Sequence, residues 1–171
     1  MIRKFFGAVF LAMIFFAQSA MAAPHIEYQV HVQDYGWMQP VADGEVAGTI
    51  GRSKRIEALI INFSEGVEYN AHVQNIGWQG WRNSGDVAGT IGESLRLEAI
   101  RIKLTGYLAN EYDIYYRAHV QNIGWMDWVR NGQVAGTEGQ NLRMEALQIE
   151  VVRKGSGYER GRHRRSRYER V

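Results

Sequence analysis

An internal repeat constrains the fold of this 171-residue chain more than any other feature. Three gap-free blocks of 28 residues align with one another, at residues 31–58, 72–99 and 119–146. All three share His-Val-Gln at the start, then Gly-Trp, Val-Ala-Gly-Thr, a Gly and an Arg, and Glu-Ala at the end. Length varies only in the segments between the blocks. The chain is therefore predicted to assemble from three copies of one structural unit.

Both ends of each block continue an alternation of apolar and polar residues. Around the start of the first block, Tyr28, Val30 and Val32 fall on one face and His31 on the other, and the closing segments alternate in the same way. A period of two residues indicates β-strands. Glycines recur at fixed offsets between the strands, as expected for turns that need unusual backbone angles. No helix is predicted.

We therefore predict an all-β fold with a closed pseudo-threefold architecture. A unit of this size cannot bury its own apolar face, and closing three of them into a ring removes the exposed sheet edges. A β-trefoil-like arrangement is favoured slightly over a β-prism, but the sequence does not decide between these two closed forms. An open solenoid would need atypical capping repeats, and none is visible.

Residues 1–22 are predicted to be a signal peptide. Arg3 and Lys4 precede an apolar run over residues 5–17, and Ala-Met-Ala at residues 20–22 has the small-x-small pattern of a cleavage site. We expect the mature chain to begin at Ala23, and no other segment is apolar enough to span a membrane. The protein is thus expected to be secreted, either extracellular or at the cell surface, or periplasmic in a host with an outer membrane.

Charge divides the mature chain into two parts. Residues 153–171 contain eight Arg or Lys against two Glu, a net charge of +6, whereas residues 23–152, the predicted three-repeat domain, carry −6. The basic tail is predicted to be disordered, because it has too few aliphatic residues to offset the entropy lost on ordering. A contact with an anionic surface and a merely solubilising role are equal alternatives for it.

Since the chain has no cysteine, its stability must come from packing rather than disulfides.

The repeated blocks resemble a known bacterial repeat. HVQNIGWQGW in the second block and HVQNIGWMDW in the third, with the later Ala-Gly-Thr and Arg-x-Glu-Ala elements, are similar to the clostridial hydrophobic W (ChW) repeat. The resemblance covers residues 26–152. It implies an extracellular bacterial protein whose repeats occur in threes and bind carbohydrate or other extracellular material, and it does not imply catalysis. The first block departs from the pattern, because Pro40 stands where the others have Trp81 and Trp128.

All tryptophans of the chain lie within or just after the Gly-Trp turns. Aromatic rings on turns suit the apolar faces of sugar rings, and aromatic walls with a few polar groups are typical of ligand pockets. For Trp37, Trp78 and Trp125, core packing is the favoured interpretation, because they are large and present in every block. For Trp81 and Trp128, ligand contact is as strong an interpretation as burial. All five are candidate ligand-binding residues.

Each block also repeats one histidine, which is His31, His72 or His119. A structural hydrogen bond is its favoured role and a contact with a sugar hydroxyl is second. A metal site formed by all three on a threefold axis is third, since each block has a single His and no Cys. We retain His72 and His119 as candidate ligand-binding residues, together with Asp127, a residue type that is also ordinary in turns. No metal site or cofactor is predicted.

Each block ends with an Arg-x-Glu pair. Glycoside hydrolysis requires two carboxyl groups, and an arginine beside a carboxyl lowers its pKa, which makes it a poor general acid. We interpret the pairs as structural and predict no catalytic residue. The chain is therefore expected to be a non-catalytic module that binds a glycan or cell-envelope polymer. The alternative is an adhesion or protein-interaction module with an extracellular protein as partner.

Overall fold

The computed structural model describes residues 24–156. The predicted signal peptide and residues 157–171 of the predicted tail lie outside the described residues. The first repeat contains β1 (Glu27–Val32), β2 (Gly36–Trp37), β3 (Val41–Ala42), β4 (Ala47–Gly48) and β5 (Ile56–Asn62). The second contains β6 (Val67–Val73), β7 (Gly77–Trp78), β8 (Arg82–Asn83), β9 (Ala88–Gly89) and β10 (Leu97–Leu104). The third contains β11 (Tyr112–Val120), β12 (Gly124–Trp125), β13 (Val129–Arg130), β14 (Ala135–Gly136) and β15 (Met144–Arg153).

The repeats form three antiparallel sheets with the same internal order. In each repeat the long opening and closing strands pair with each other, and two short strands pair with the opening strand. The inner faces of the sheets supply one hydrophobic cluster with members from all three repeats. The alternation predicted from the sequence is confirmed, because Tyr28, Val30 and Val32 are all fully buried.

The short Ala-Gly strand of each repeat pairs with the closing strand of a different repeat. β9 of the second repeat joins β5 of the first, and β14 of the third joins β10 of the second. The cycle is completed by β4 of the first repeat, which joins β15 of the third. No repeat therefore completes its own sheet, and the predicted closed pseudo-threefold, all-β architecture is confirmed.

The two closed forms left open by the sequence are separated by this topology. A β-trefoil is built around a closed barrel, whereas a β-prism consists of three separate sheets. No closed barrel is found among residues 24–156. The arrangement thus agrees with the β-prism alternative rather than with the slightly favoured trefoil.

Close backbone packing at the strand exchange requires glycine. A Cβ atom on Gly48, Gly89 or Gly136 would lie 2.3–2.4 Å from a backbone oxygen of the neighbouring repeat, and all three have φ of 103–105°. Any other residue would both clash with backbone and adopt a left-handed conformation. This explains why the Ala-Gly-Thr element has glycine at its centre in every copy.

A buried tyrosine in each opening strand also connects neighbouring repeats. The hydroxyls of Tyr28 and Tyr69 donate to the carbonyls of Glu45 and Asp86 in their own repeats. The same hydroxyls accept hydrogen bonds from the backbone N–H of closing strands in the preceding repeats, Ile149 at 3.1 Å for Tyr28 and Ile61 at 3.3 Å for Tyr69. Each tyrosine thus binds two repeats together inside the core.

One short helix, α1 (Leu108–Glu111), departs from the expectation of no helix. It lies in the longer segment between the second and third repeats, where Leu108 adds to the core. Backbone N–H of Lys154 donates to Glu111 O at 2.9 Å, and Lys154 Nζ donates to Ala109 O at 2.7 Å. In the part of the chain that the structure describes, no helix is long and apolar enough to cross a membrane.

Candidate functional site

The tryptophans lie on the outer face of each sheet, the side away from the shared core. Trp37 is the register partner of His31, and Trp78 and Trp125 pair with the corresponding histidines. Side chains of register partners share a face, and in each pair the rings meet edge to face with centroids 5.3–5.5 Å apart. The first tryptophan of each site is therefore held on paired strands, whereas Trp81 and Trp128 lie in the short segments after β7 and β12.

The favoured core interpretation of Trp37, Trp78 and Trp125 is wrong. None of the three is buried, and Trp37 is 36% exposed. The reason is the register of the Gly-Trp hairpin, which places each tryptophan opposite an outward-pointing histidine. Of the second tryptophans, Trp81 is 41% exposed and Trp128 is half-buried. All five tryptophans are thus surface residues.

Each histidine lies beside the glutamate of its own Arg-x-Glu pair. His31 Nδ1 is 3.1 Å from Glu57 Oε2, and the equivalent distance is 3.2 Å in the other two repeats. The two atoms are close, but they do not form a hydrogen bond. Arg55 Nη2 is 2.7 Å from Glu57 Oε1, and this contact also recurs. Since the three glutamates are only 4–6% exposed, the interpretation as structural ion pairs is confirmed.

A β-bulge explains how this glutamate reaches the outer face. His31 pairs with Ala58 but Val32 pairs with Ile56, so Glu57 is the extra residue between them. Simple alternation would turn Glu57 inward together with Leu59, whereas the bulge turns it towards His31. The same register shift occurs in the other two repeats.

Cations lie over four of the five tryptophan rings, and the sequence reasoning missed them. Arg101 Cζ is 4.1 Å from the ring centroid of Trp78, and Lys103 Nζ is 4.3 Å from that of Trp81. In the third repeat, Arg117 Cζ is 4.5 Å from the Trp125 centroid and 4.9 Å from the Trp128 centroid. Such contacts contribute roughly 0.5–2 kcal/mol each and restrain the rings.

Arg101 and Arg117 occupy the same place in their sheets, although they are not at equivalent positions in the aligned sequence of the repeats. Arg101 is the register partner of Asn70, and Arg117 is the register partner of Gln148. The arginine therefore comes from the closing strand in the second repeat and from the opening strand in the third. In the first repeat the corresponding pair is Gln29 and Ile60, which supplies no charge. The outer face of the first repeat is thus chemically different, as the replacement of its second tryptophan by proline already indicated.

A residue of the third repeat completes the site of the second. The indole Nε1 of Trp78 donates to Glu138 Oε2 at 3.1 Å. Arg101 Nη2 lies 3.8 Å from Glu138 Oε1. This carboxylate therefore sits between an indole N–H and a guanidinium, and the site spans the boundary between two repeats.

The remaining candidates occupy less informative positions. Asp127 is exposed between Trp125 and Trp128. His72 and His119 are half-buried beneath the tryptophans. Within residues 24–156 no group of three or more His, Asp or Glu is placed to hold a metal ion, so the threefold histidine alternative has no geometry to support it.

One carboxyl at the junction of the first and third repeats has a shifted pKa. Burial, and to a smaller extent the charge of Asp43, raise the pKa of Glu150 to about 7, while Arg117 opposes the rise. Glu150 faces the turn at Gly44, where a Cβ atom would lie 2.8 Å from Glu150 Oε2. Asp43 itself is 2.7 Å from His25 Nδ1. This junction therefore holds two carboxyl groups close together.

We expect Glu150→Gln to stabilise the protein in a pH-dependent way. Because the pKa in the folded state is about 7 and the ordinary value is 4.5, the parent loses stability as the pH rises through this window, and the loss is complete above it. After allowance for solvent screening at this half-buried group, the variant should be about 1 kcal/mol more stable above about pH 8. Below about pH 4 the two should be equally stable. Urea denaturation at both pH values measures the difference, and a constant difference would contradict the prediction.

The fold and the site together define a three-repeat all-β protein with tryptophan-centred sites on its outer faces. A family model described as Clostridial hydrophobic W (ChW) matches residues 31–65, 72–106 and 119–153, which together exceed half of the chain. The chain therefore belongs to the ChW family, and the resemblance seen in the sequence is confirmed. No curated protein and no solved structure matches it.

Proposed function

We propose that this ChW protein is a secreted, non-catalytic module that binds carbohydrate of the cell envelope or of extracellular material through its tryptophan-bearing turns. The observation that carries the proposal is the position of the tryptophans: all five lie at the surface, and four have a cation over the ring. Partly exposed aromatic rings provide flat apolar surfaces for sugar rings. The neighbouring amides and charged groups are of the kinds that fix a ligand's orientation.

The rings are held in place before any ligand arrives. Trp78 meets His72 in an edge-to-face contact, at 5.3 Å between centroids, and has the guanidinium of Arg101 over its ring. Glu98, which is 4% exposed, in turn contacts His72 and Arg96. A ring that is already oriented loses less conformational entropy on binding, so the same contacts give higher affinity.

Threefold repetition supports recognition of a polymer rather than of a single sugar. Weak sites on one rigid body act together when the ligand repeats along a chain. The second and third repeats, with two tryptophans each and a cation over every one of these rings, should dominate over the first. The basic tail would add an electrostatic contact with an anionic surface.

The test is a pull-down of the full chain on envelope polysaccharide. The double variant Trp81→Ala with Trp128→Ala should lose at least about tenfold in affinity, since stacking contacts to both dominant sites are removed. Neither residue lies in the core, so circular dichroism should show an unchanged fold. Tyr107→Ala removes a 69% exposed aromatic residue between the repeats and serves as the matched control. Unchanged binding by the folded double variant would contradict the proposal.

A protein partner is the second candidate, favoured by three apolar side chains at the hairpin tips. Tyr35, Ile76 and Ile123 occupy equivalent positions and are 49–54% exposed. Exposed apolar groups on rigid turns can anchor a protein partner. Retention by envelope material that has been stripped of glycan but not of protein would favour this function, and retention by protease-treated material would favour glycan.

A further inference from the structure

The three outer faces differ at one position contributed by a neighbouring repeat. In the second repeat this position is Glu138, whose carboxylate accepts from Trp78 Nε1 at 3.1 Å and lies 3.8 Å from Arg101. The glutamate side chain is 44% exposed and belongs to the third repeat. The chain thus shows, within its own structure, how a carboxylate fits between an indole N–H and a guanidinium over the same ring.

The corresponding place in the third repeat is formed in the same way but has no glutamate. Thr137 N donates to Glu98 O at 2.9 Å, and Thr49 N donates to Glu145 O at 2.9 Å. Glu138 follows Thr137 and Ile50 follows Thr49. These two residues therefore occupy equivalent positions beside the neighbouring repeats. Ile50 is 49% exposed. The third repeat consequently combines Trp125 and Arg117 with an isoleucine where the second has a carboxylate.

We propose that the Trp125–Arg117 pair of the third repeat binds a carboxylate of an acidic polysaccharide, and that Glu138 is the internal occupant of the equivalent place in the second repeat. The proposal rests on the proposed function and names its ligand class. Indole and guanidinium groups only donate hydrogen bonds, and an ionised carboxylate only accepts them. Bonds from a guanidinium to a carboxylate are among the stronger ones in proteins, so a charged sugar gains more here than a neutral one.

The surroundings of Arg117 allow this contact. Arg117 Nε donates to Gln148 Oε1 at 2.8 Å, which fixes the plane of the guanidinium. Glu150 is the acidic neighbour, and because burial raises its pKa to about 7 it carries only part of a charge at neutral pH. A guanidinium has five N–H donors in a fixed fork and can serve more than one acceptor. Trp128 on the same guanidinium adds a second ring beside the expected saccharide.

The repeat symmetry provides the variants that test the proposal. Ile50→Glu places a carboxylate in the third repeat as in the second, and Glu138→Ile removes it from the second. Ile91→Glu makes the same change at the third equivalent position, beside the first repeat, where the strand pair Gln29–Ile60 has no arginine. All three positions are at least 44% exposed, so folding should not be affected.

The measurement compares polygalacturonate with its fully methyl-esterified form, using the full chain and titration calorimetry. The parent should bind the acid form more tightly than the ester. Ile50→Glu should weaken binding of the acid form at least about tenfold, Glu138→Ile should strengthen it several-fold, and Ile91→Glu should change it less than about twofold. The ester should bind all four proteins alike.

The outcomes separate this proposal from the broader one. Equal binding of both polymers, unaffected by Ile50→Glu, would overturn the carboxylate site and leave carbohydrate binding standing. Binding of neither polymer would overturn the carboxylate site, and the tryptophan variants on envelope polysaccharide would then decide the broader function. Equal affinity for poly-L-glutamate, with the same dependence on Ile50→Glu, would overturn the assignment to a polysaccharide.

Discussion

Replacing Gly89 with alanine is expected to lower the free energy of unfolding by about 4 kcal/mol. A Cβ atom at this position would lie 2.3 Å from Glu57 O and 2.7 Å from Ala58 Cα, and the residue has φ of +105°. Because both contacts are with backbone, relief of the clash would break the pairing of β9 with β5. Chemical denaturation of Gly89→Ala against the parent measures the loss.

Gly92 provides the matched control for Gly89. It lies in the same repeat and has φ of +78°, but a Cβ atom there would meet nothing within 4 Å. Gly92→Ala should therefore show only the strain of a left-handed alanine, about 1 kcal/mol. If the two variants lost equal stability, close packing of the exchanged strand would not be the reason for glycine.

Neutralising the buried glutamate of the second repeat is expected to have the next largest effect. Glu98 is 4% exposed, contacts Arg96 Nη2 at 2.7 Å and lies 3.2 Å from His72 Nδ1. Glu98→Gln leaves the arginine without its charged partner and directs an amide N–H towards other donors. Removing one member of a buried pair typically lowers stability by about 3 kcal/mol or more. Urea denaturation at neutral pH measures this loss.

An exposed ion pair in the same repeat is the comparison for Glu98. Glu68 is 2.8 Å from Lys103, and both side chains are exposed by about a third or more. Glu68→Gln should change the stability by less than about 1 kcal/mol, because solvent screens such pairs. Equal effects of the two substitutions would show that the repeated His-Glu-Arg contact is not a stabilising element.

The architecture could be predicted because its signals are local and repeated. Alternation around Tyr28 and Val30 marks the strands, and three copies of one block indicate ring closure. The face on which a residue lies was less predictable. A bulge reverses the direction of Glu57 relative to Leu59, and no periodicity shows it. Trp37 was misassigned to the core because size and recurrence do not reveal the register of a two-residue hairpin strand.

The charged half of the site was hidden by the repeat alignment itself. Arg101 lies two residues after the second block and Arg117 two residues before the third, so neither is a shared feature of the copies. They occupy the same place only because residues on opposite strands share a register position. When the two outward-facing residues of each strand pair are taken together, the second and third repeats each have one arginine at this position. The first repeat has none.

The strand exchange has a consequence for the order in which the chain can fold during synthesis. Ala88 of β9 pairs with Leu59, about thirty residues earlier, so this contact forms soon after the second repeat emerges. Ala47 of β4 pairs with Leu147, a hundred residues later, and must wait for the last strand. Loop closure over that distance costs about 1 kcal/mol more than over thirty residues. Until then β15 is missing and β4 is an open edge. Its length of two residues, one of them glycine, limits premature pairing with another nascent chain.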